Sequence, residues 1–400
     1  MDTYLIKLFP IDRFYFGNDV TFGPDNTNYF VRSVHFPQQT TLLGMLRYYL
    51  LQQNNLLDEK GKVNSTPTLV PENLIGNSGF DATPKLEFGI IKKLSPVFIS
   101  GPDGEYFVQS REFGLQWQED ELNGDKRQEL VPLKVRKGHG KNSFSEHDIH
   151  YFEGFNAKTE IPDLLVNART GQMRFFEYKE ELKDNPMNGI FIPNEQVGIR
   201  LQKKQQEKSA NEKGFYKQIG YTLLTDYSFA FYAEMNVESD PKFDDGFVRM
   251  GADQSWFRLS KSTAKGTDQS ILKNFTIDMK KKSLVNNLFN KVNDFDKKVV
   301  LLSDCYLTKD EYDNCPFASV STVPFRFIKI TTKEGKNTEE KRKIFSLKGA
   351  GLKLIKSEEY ITLLKKGSVL YVNSKEEKEE LIKNLTLNQA FYQIGYNYAI

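Results

Sequence analysis

The sequence predicts an α+β protein whose first half opens as a ferredoxin-like fold does, and three observations predict it. Residues 3–9 alternate in the manner of a strand, and Pro10 closes them. Leu42, Met45, Leu46, Tyr49 and Leu50 then fall at the i, i+3, i+4 spacing of one buried helix face. Residues 87–94 and 96–100 carry the Ile and Val of strands, and Gly101-Pro102-Asp103-Gly104 turns the chain into Tyr106-Phe107-Val108. Strand, helix, strand and hairpin in that order open a ferredoxin-like fold. The RNA-recognition motif shares it, but a fold alone does not establish RNA binding.

The helix is the most informative element. Thr40 and Thr41 stand where a hydroxyl can cap its unpaired first-turn N–H groups. Gly44 lies inside it, at a cost of roughly 1 kcal/mol against alanine, so another backbone is expected to approach there. Arg47 follows one turn later, and with the helix N-terminus it would suit a phosphate. The plain alternative is a core helix with a tidy cap.

Four hundred residues allow two or three domains, each with its own core. Fifty-five basic against 53 acidic residues leave a net charge of +2, so a nucleic-acid site must come from local clustering and not from a global field. Cys305 and Cys315 make neither a disulfide framework nor a zinc pattern, which points to a reducing cytoplasm. No signal-peptide pattern and no run of membrane-spanning length is expected to direct the chain elsewhere.

Between strand and helix, residues 11–35 read as a long loop with basic residues only at Arg13 and Arg32. Residues 111–150 read as the least regular part. Within them Lys134-Val-Arg136-Lys137-Gly-His139-Gly-Lys141 has four basic residues, no acidic one, and two glycines that let a phosphate backbone come close. A solvated mobile loop is the competing reading. Asn194 to Leu201 leads into a polar stretch, 202–213, with Lys203 and Lys204 in it and Arg200 just before it, which on its own reads as an exposed linker. Residues 215–237 hold two strands, 284–293 a helix, and 317–330 a strand whose Pro324 favours an edge or bulge. Together these suggest a second sandwich of sheet and helices. Near the end, Ser374 and Glu377 form a capping-box pattern ahead of a last helix.

Phe36-Pro37 followed by Thr40-Thr41-Leu42-Leu43-Gly44 and Leu46-Arg47 resembles the start of a RAMP-superfamily CRISPR protein, and most closely the third subunit of the type III-B Cmr effector complex. Val197-Gly198-Ile199 followed by the loop 202–213 and Gly214-Phe215-Tyr216 resembles a strand–loop–strand hairpin of those subunits, and Lys366-Gly367-Ser368-Val369-Leu370-Tyr371 resembles another of their strands, whereas Gln393-Ile-Gly395-Tyr-Asn397 keeps one glycine where relatives carry a richer motif. The resemblance implies two ferredoxin-like (RRM-like) domains with long inserted loops, residues 1–214 and 215–400. It also implies a non-catalytic subunit of an antiviral ribonucleoprotein that holds the crRNA 5′ tag, contacts the large polymerase-like subunit and adjoins a backbone RAMP subunit. Phosphates would be met by Arg32, Arg47, Lys134, Arg136, Lys137, Lys141 and the hairpin's Arg200, Lys203 and Lys204. His35, Gln38, Gln39, Thr40, Thr41 and His139 would add polar contacts, and Phe36 would stack on a splayed base.

Chemistry of other kinds has little footing. His147-Asp148-Ile-His150 has H-x-x-H spacing, but the only other histidines are His35 and His139, so neither a metal nor any cofactor is expected. His35 would be the general base were the chain instead a RAMP endonuclease processing precursor crRNA. Two further alternatives are the equivalent subunit of a type III-A (Csm) complex and an assembly protein whose basic loops only solubilise it.

Overall fold

The computed structural model describes residues 2–17, 30–59, 61, 63, 70–77, 79–80, 87–119, 126–139, 148–155, 161–199, 215–236, 241–251, 253–264, 293–325, 328–332, 352–356 and 361–400. Among them, twenty-three strands numbered in chain order outnumber five α-helices, an α+β arrangement dominated by antiparallel sheets.

The central sheet has nine strands: β1 (Asp2–Pro10), β3 (Ile91–Leu94), β4 (Phe98–Gly101), β5 (Gly104–Val108), β10 (Leu164–Asn167), β11 (Met173–Phe175), β14 (Ser228–Met235), β15 (Gly246–Met250) and β16 (Ser255–Thr263). Their order is β11-β10-β5-β4-β14-β1-β16-β15, with β3 also paired to β14. Strands from both sides of residue 214 therefore share it. A second sheet joins β2 (Phe30–Arg32), β12 (Phe191–Ile199) and β13 (Phe215–Leu223). The predicted strand–loop–strand hairpin is there, since β12 and β13 pair over their whole length.

Residues expected to be irregular instead form two antiparallel ribbons. These are β6 (Phe113–Glu119) with β7 (Lys126–Pro132), and β8 (Lys134–His139) with β9 (Asp148–Glu153). The basic run is thus a strand, because Val135 opposite Phe152 provides an apolar face that packs on the core. Asp148 and His150 lie in that strand pair, not on a helix. The C-terminal part adds β17 (Lys298–Val300), β18 (Phe317–Ser319) and β23 (Val369–Tyr371) in one sheet, then the pairs β19 (Thr322–Phe325) with β22 (Ile361–Leu364) and β20 (Ile328–Thr332) with β21 (Leu352–Lys356). Pro324 sits in β19, an edge by construction in a two-stranded pair. The helix expected over 284–293 falls outside the described residues except Asn293.

Both faces of the central sheet are used. Alternation along β14 sends Phe229 and Phe231 to one side, where Ile6, Leu8, Phe257 and Leu259 meet Leu42, Leu46, Tyr49 and Leu50 of α1 (Gln39–Gln53). Ala230 and Tyr232 go to the other side, where Phe98, Phe107 and Val166 meet Val300, Val369, Tyr371 and Ile400.

Helix α1 starts one residue before the predicted caps. Gln38 is its N-cap and makes no side-chain cap bond, so Thr40 and Thr41 belong to the first turn. Among the described residues the approach expected at Gly44 is not made: the residue is exposed, and a Cβ there would meet none of them within 4 Å. The other helices are α2 (Pro71–Ile75), α3 (Lys309–Asp313), α4 (Lys375–Leu387) and α5 (Gln389–Gln393). Ser374 caps α4 by accepting from Glu377 N, while Glu377 bonds the Asn373 N–H. A full capping box stands instead at Thr308 and Glu311 of α3. Among the described residues no helix is long and apolar enough to cross a membrane.

Candidate functional site

Just ahead of α1, the backbone is held by pairing that begins in β2. Phe30, Val31 and Arg32 run parallel to Lys217, Gln218 and Ile219 of β13, and Ser33 N continues the ladder to Ile219 O at 2.8 Å. Buried Val31 and Ser33 alternate with exposed Arg32, as a half-buried strand requires. Ser33 Oγ accepts from Phe16 N at 2.8 Å and donates to Val34 O at 2.8 Å, which ties the segment to the preceding loop.

This ladder brings Arg32 and His35 onto Glu177 and Tyr221, two residues the sequence did not single out. Arg32 Nη2 lies 2.6 Å from both Glu177 carboxylate oxygens, and Arg32 Nε donates to Tyr221 Oη at 2.7 Å. Tyr221 Oη in turn donates to Glu177 Oε1 at 2.7 Å, and His35 Nε2 stands 3.1 Å from the same oxygen. The imidazole lies over Tyr221 with centroids 4.5 Å apart and meets the edges of Phe176 and Phe191 at 5.0 and 4.9 Å. Burial pushes the Glu177 carboxyl up, but hydrogen bonds from His35 and Tyr221 and the Arg32 charge prevail and hold it at about 2. Burial and the bond to Glu177 push the Tyr221 phenol well up, so it stays a neutral donor. Glu177 is therefore an ionised hub that orients an arginine and a histidine at the surface, with Arg32 44% exposed.

The remaining predicted residues divide by burial. Gln38, Thr40 and Thr41 are half-buried at the start of α1. Gln39 is buried, and its amide donates to Ser95 O and Gly395 O, both at 2.9 Å. It is a clasp between α1 and the C-terminus. Gly395, at φ 97°, is required there because a Cβ would stand 2.0 Å from Gln39 Nε2. Arg47 is 8% exposed, donates to Gly76 O at 3.1 Å and stacks 5.6 Å from the Phe88 ring centre, and burial lowers its pKa to about 10. It serves the core and offers no surface contact for a phosphate. Phe36 is also buried, among Phe176, Phe191 and Phe229, with Lys366 Nζ 4.2 Å over its ring, so it presents no face to a base.

Lys134, Arg136 and Lys137 are exposed on the β8–β9 ribbon, where Arg136 pairs with Glu153 at 2.8 Å. The His139 side chain and Lys141 lie outside the described residues, as do Arg200, Lys203 and Lys204 beyond the β12–β13 pair. A buried network anchors the ribbon. Asn293 Oδ1 accepts from Val135 N at 2.9 Å, and Asn293 Nδ2 donates to Leu133 O and to Glu112 Oε1, both at 2.9 Å. Glu112 accepts from Ser110 at 3.0 Å and from Tyr371 Oη, and pairs with Lys298 Nζ at 2.9 Å with both side chains fully buried. Glu112 is isolated in the sequence, and no local pattern marks it. Among the described residues no cluster of three or more His, Cys, Asp or Glu forms a metal-ligand set.

The model of the family described as CRISPR-associated protein (Cas_Cmr3) matches residues 6–400. No curated protein matches the sequence. Two solved structures similar to the chain are cryo-EM structures of the type III-B Cmr-beta: one bound to cognate target RNA (TM-score 0.48), the other to cognate target RNA and AMPPnP, state 1 (TM-score 0.46). In each the identity is 13%, and the match covers 100% of this chain and 96% of the other.

Proposed function

The chain belongs to the Cas_Cmr3 family of CRISPR-associated proteins, and on that footing we propose that it is a non-catalytic, crRNA-binding subunit of a type III-B Cmr effector complex in the cytoplasm. In this reading it is built of two ferredoxin-like domains and holds the 5′ tag of the crRNA. It also bridges the large polymerase-like subunit to an adjacent backbone RAMP subunit.

The observation that carries the reading is the clamp on residues 30–36. Glu177 and Tyr221, brought from distant parts of the chain, hold Arg32 and His35 of this segment in place, so the outward edge of Arg32 and the polar start of α1 at Gln38, Thr40 and Thr41 are presented with little further ordering. Single-stranded RNA is suited to such a surface, because its phosphates and splayed base edges take hydrogen bonds from fixed donors. The exposed cations of the β8–β9 ribbon supply a second phosphate contact. Arg47, Gln39 and Phe36 drop out of the RNA-contact set because the core holds them.

The test is to co-express the chain with its genomic neighbours, purify the assembly, and map RNA crosslinks by mass spectrometry. Crosslinks from residues 30–41 and 134–137 to the 5′ end of a uniform small RNA are expected. An assembly that forms normally without any crosslink in residues 1–214 would reduce the chain to a scaffold.

One observation favours a second reading. His35 is paired with a carboxylate and stacked on a tyrosine, partners that would orient a general base in a metal-independent RNA endonuclease. Cleavage of repeat RNA by the isolated chain, abolished in H35A, would establish that activity. Intact RNA after prolonged incubation is the result expected from the first reading.

A further inference from the structure

We propose that the open part of the central sheet, over β1, β15 and β16, is a separate docking surface for a single-stranded nucleic acid. Strand alternation turns Ile6, Leu8, Val248, Met250, Phe257 and Leu259 into the core beneath α1. Lys7, Phe9, Phe247, Arg249, Trp256 and Arg258 consequently stand on the opposite face. Over β4, β5, β10 and β14 that face is covered by the C-terminal core. Over β15 and β16 the described residues leave it open, with Phe247 57% and Trp256 45% exposed.

Rings and cations alternate across the strands. Register sets Arg258 between Phe9 and Phe247, and Arg249 opposite Trp256. The Arg258 guanidinium lies 4.3 Å from the Phe9 ring centre, and that of Arg249 lies 4.1 Å from the Trp256 ring. Among the described residues no carboxylate pairs with Lys7, Arg249 or Arg258. A groove of about 480 Å³ runs alongside, between Phe9, Ile11, Leu224, Asp226, Phe247 and Arg258. Asp226 stands at its rim at φ 69°, exposed, an acceptor for the N–H groups of a base.

Charge complementarity decides the occupant. Exposed aromatics with arginine also mark protein interfaces, but three cations without acidic partners, interleaved with flat rings on an open sheet, match a polyanion that carries flat apolar faces. Bases would stack on Phe247 and Trp256 while Lys7, Arg249 and Arg258 meet phosphates. The surface shares no residue with the Arg32 cluster or the β8–β9 ribbon, and it does not depend on the tag-holding reading.

The test uses the full-length chain. The sequence has two tryptophans, so W117F leaves Trp256 as the sole fluorophore. Arg32, Lys134, Arg136 and Lys137 are neutralised in a parallel background to remove the other contacts. Saturable quenching of Trp256 by a U12 RNA or a dT12 DNA is expected in both backgrounds, and the two oligonucleotides tell which nucleic acid is the better occupant. F247A is expected to raise the Kd about tenfold, the scale of one lost base stack, and F247Y to restore it. R249Q and R258Q are each expected to lower the slope of log K against log salt by about 1. Circular dichroism checks folding, and should F247A not fold, R249Q and the Trp256 quench decide alone. No quenching by either oligonucleotide overturns the proposal. So does unchanged oligonucleotide binding in variants that lose their protein partners on co-purification, which would make the face a protein contact.

Discussion

Glu177 concentrates most of what a single side chain does here. Its carboxyl is held at about 2 against an ordinary 4.5, so the folded state binds the proton less readily than the unfolded one. Its contribution to stability is therefore complete above pH 4.5 and is lost as the pH falls from there towards 2. The wild-type melting temperature is expected to fall over that window more steeply than that of E177Q, read by thermal unfolding at stepped pH. At pH 7, E177Q is expected to cost about 1–2 kcal/mol, discounted for partial exposure to water, and to weaken RNA crosslinking at residues 30–41. Gly395 is a second single-residue test. Alanine there adopts an unfavourable backbone and collides with Gln39 Nε2, so G395A is expected to cost at least about 1–3 kcal/mol in chemical denaturation. Arg32 and His35 could be singled out in the sequence because they precede a patterned helix. Glu177 and Tyr221 could not, since they lie 142 residues from His35 and 189 from Arg32 respectively, and no local spacing links them.

Helix α1 shows how far periodicity carries an element and where it stops. Leu42, Met45, Leu46, Tyr49 and Leu50 are buried as their spacing predicts. The same helix also buries Leu43, Arg47 and Leu51, because it is wedged between the central sheet and neighbours including α2, and the cation read as a phosphate contact is a core donor to Gly76. Gly44 remains on the exposed strip. G44A is therefore expected to stabilise the isolated chain by about 0.5–1 kcal/mol through helix propensity, measured as a higher urea midpoint at unchanged m-value. Destabilisation would mean that something within the chain approaches this position after all. The β8–β9 ribbon shows the opposite limit. Four cations and two glycines read as a loop, whereas the apolar pair Val135 with Phe152, together with the Asn293 bonds to Val135 N and Leu133 O, docks the segment as paired strands.

Across the whole molecule, the Glu112 network joins distant parts of the chain. It links the start of the β6–β7 ribbon, the entry to β8, β17 and β23 through an ion pair with no exposure to water. Breaking one side leaves a buried charge, so E112A is expected to cost about 3–5 kcal/mol, while E112L/K298M is expected to recover most of it, both read by denaturant unfolding. An E112L/K298M protein as unstable as E112A would show that the network's remaining hydrogen bonds, not the charge pair, hold these parts together. Periodicity and turn chemistry in the sequence determined the α+β class and the opening order of strand, helix, strand and hairpin, since each depends on neighbours within a few residues, whereas the β12–β13 hairpin was legible only through the resemblance. The motif at Phe36 to Arg47 pointed to the family by resemblance. Tertiary structure alone decided which polar residues face water, which carboxylate meets which cation, and which half of the sheet the described residues leave open. Burial and long-range hydrogen bonding depend on partners brought together from across the chain, and local order along the sequence does not encode them.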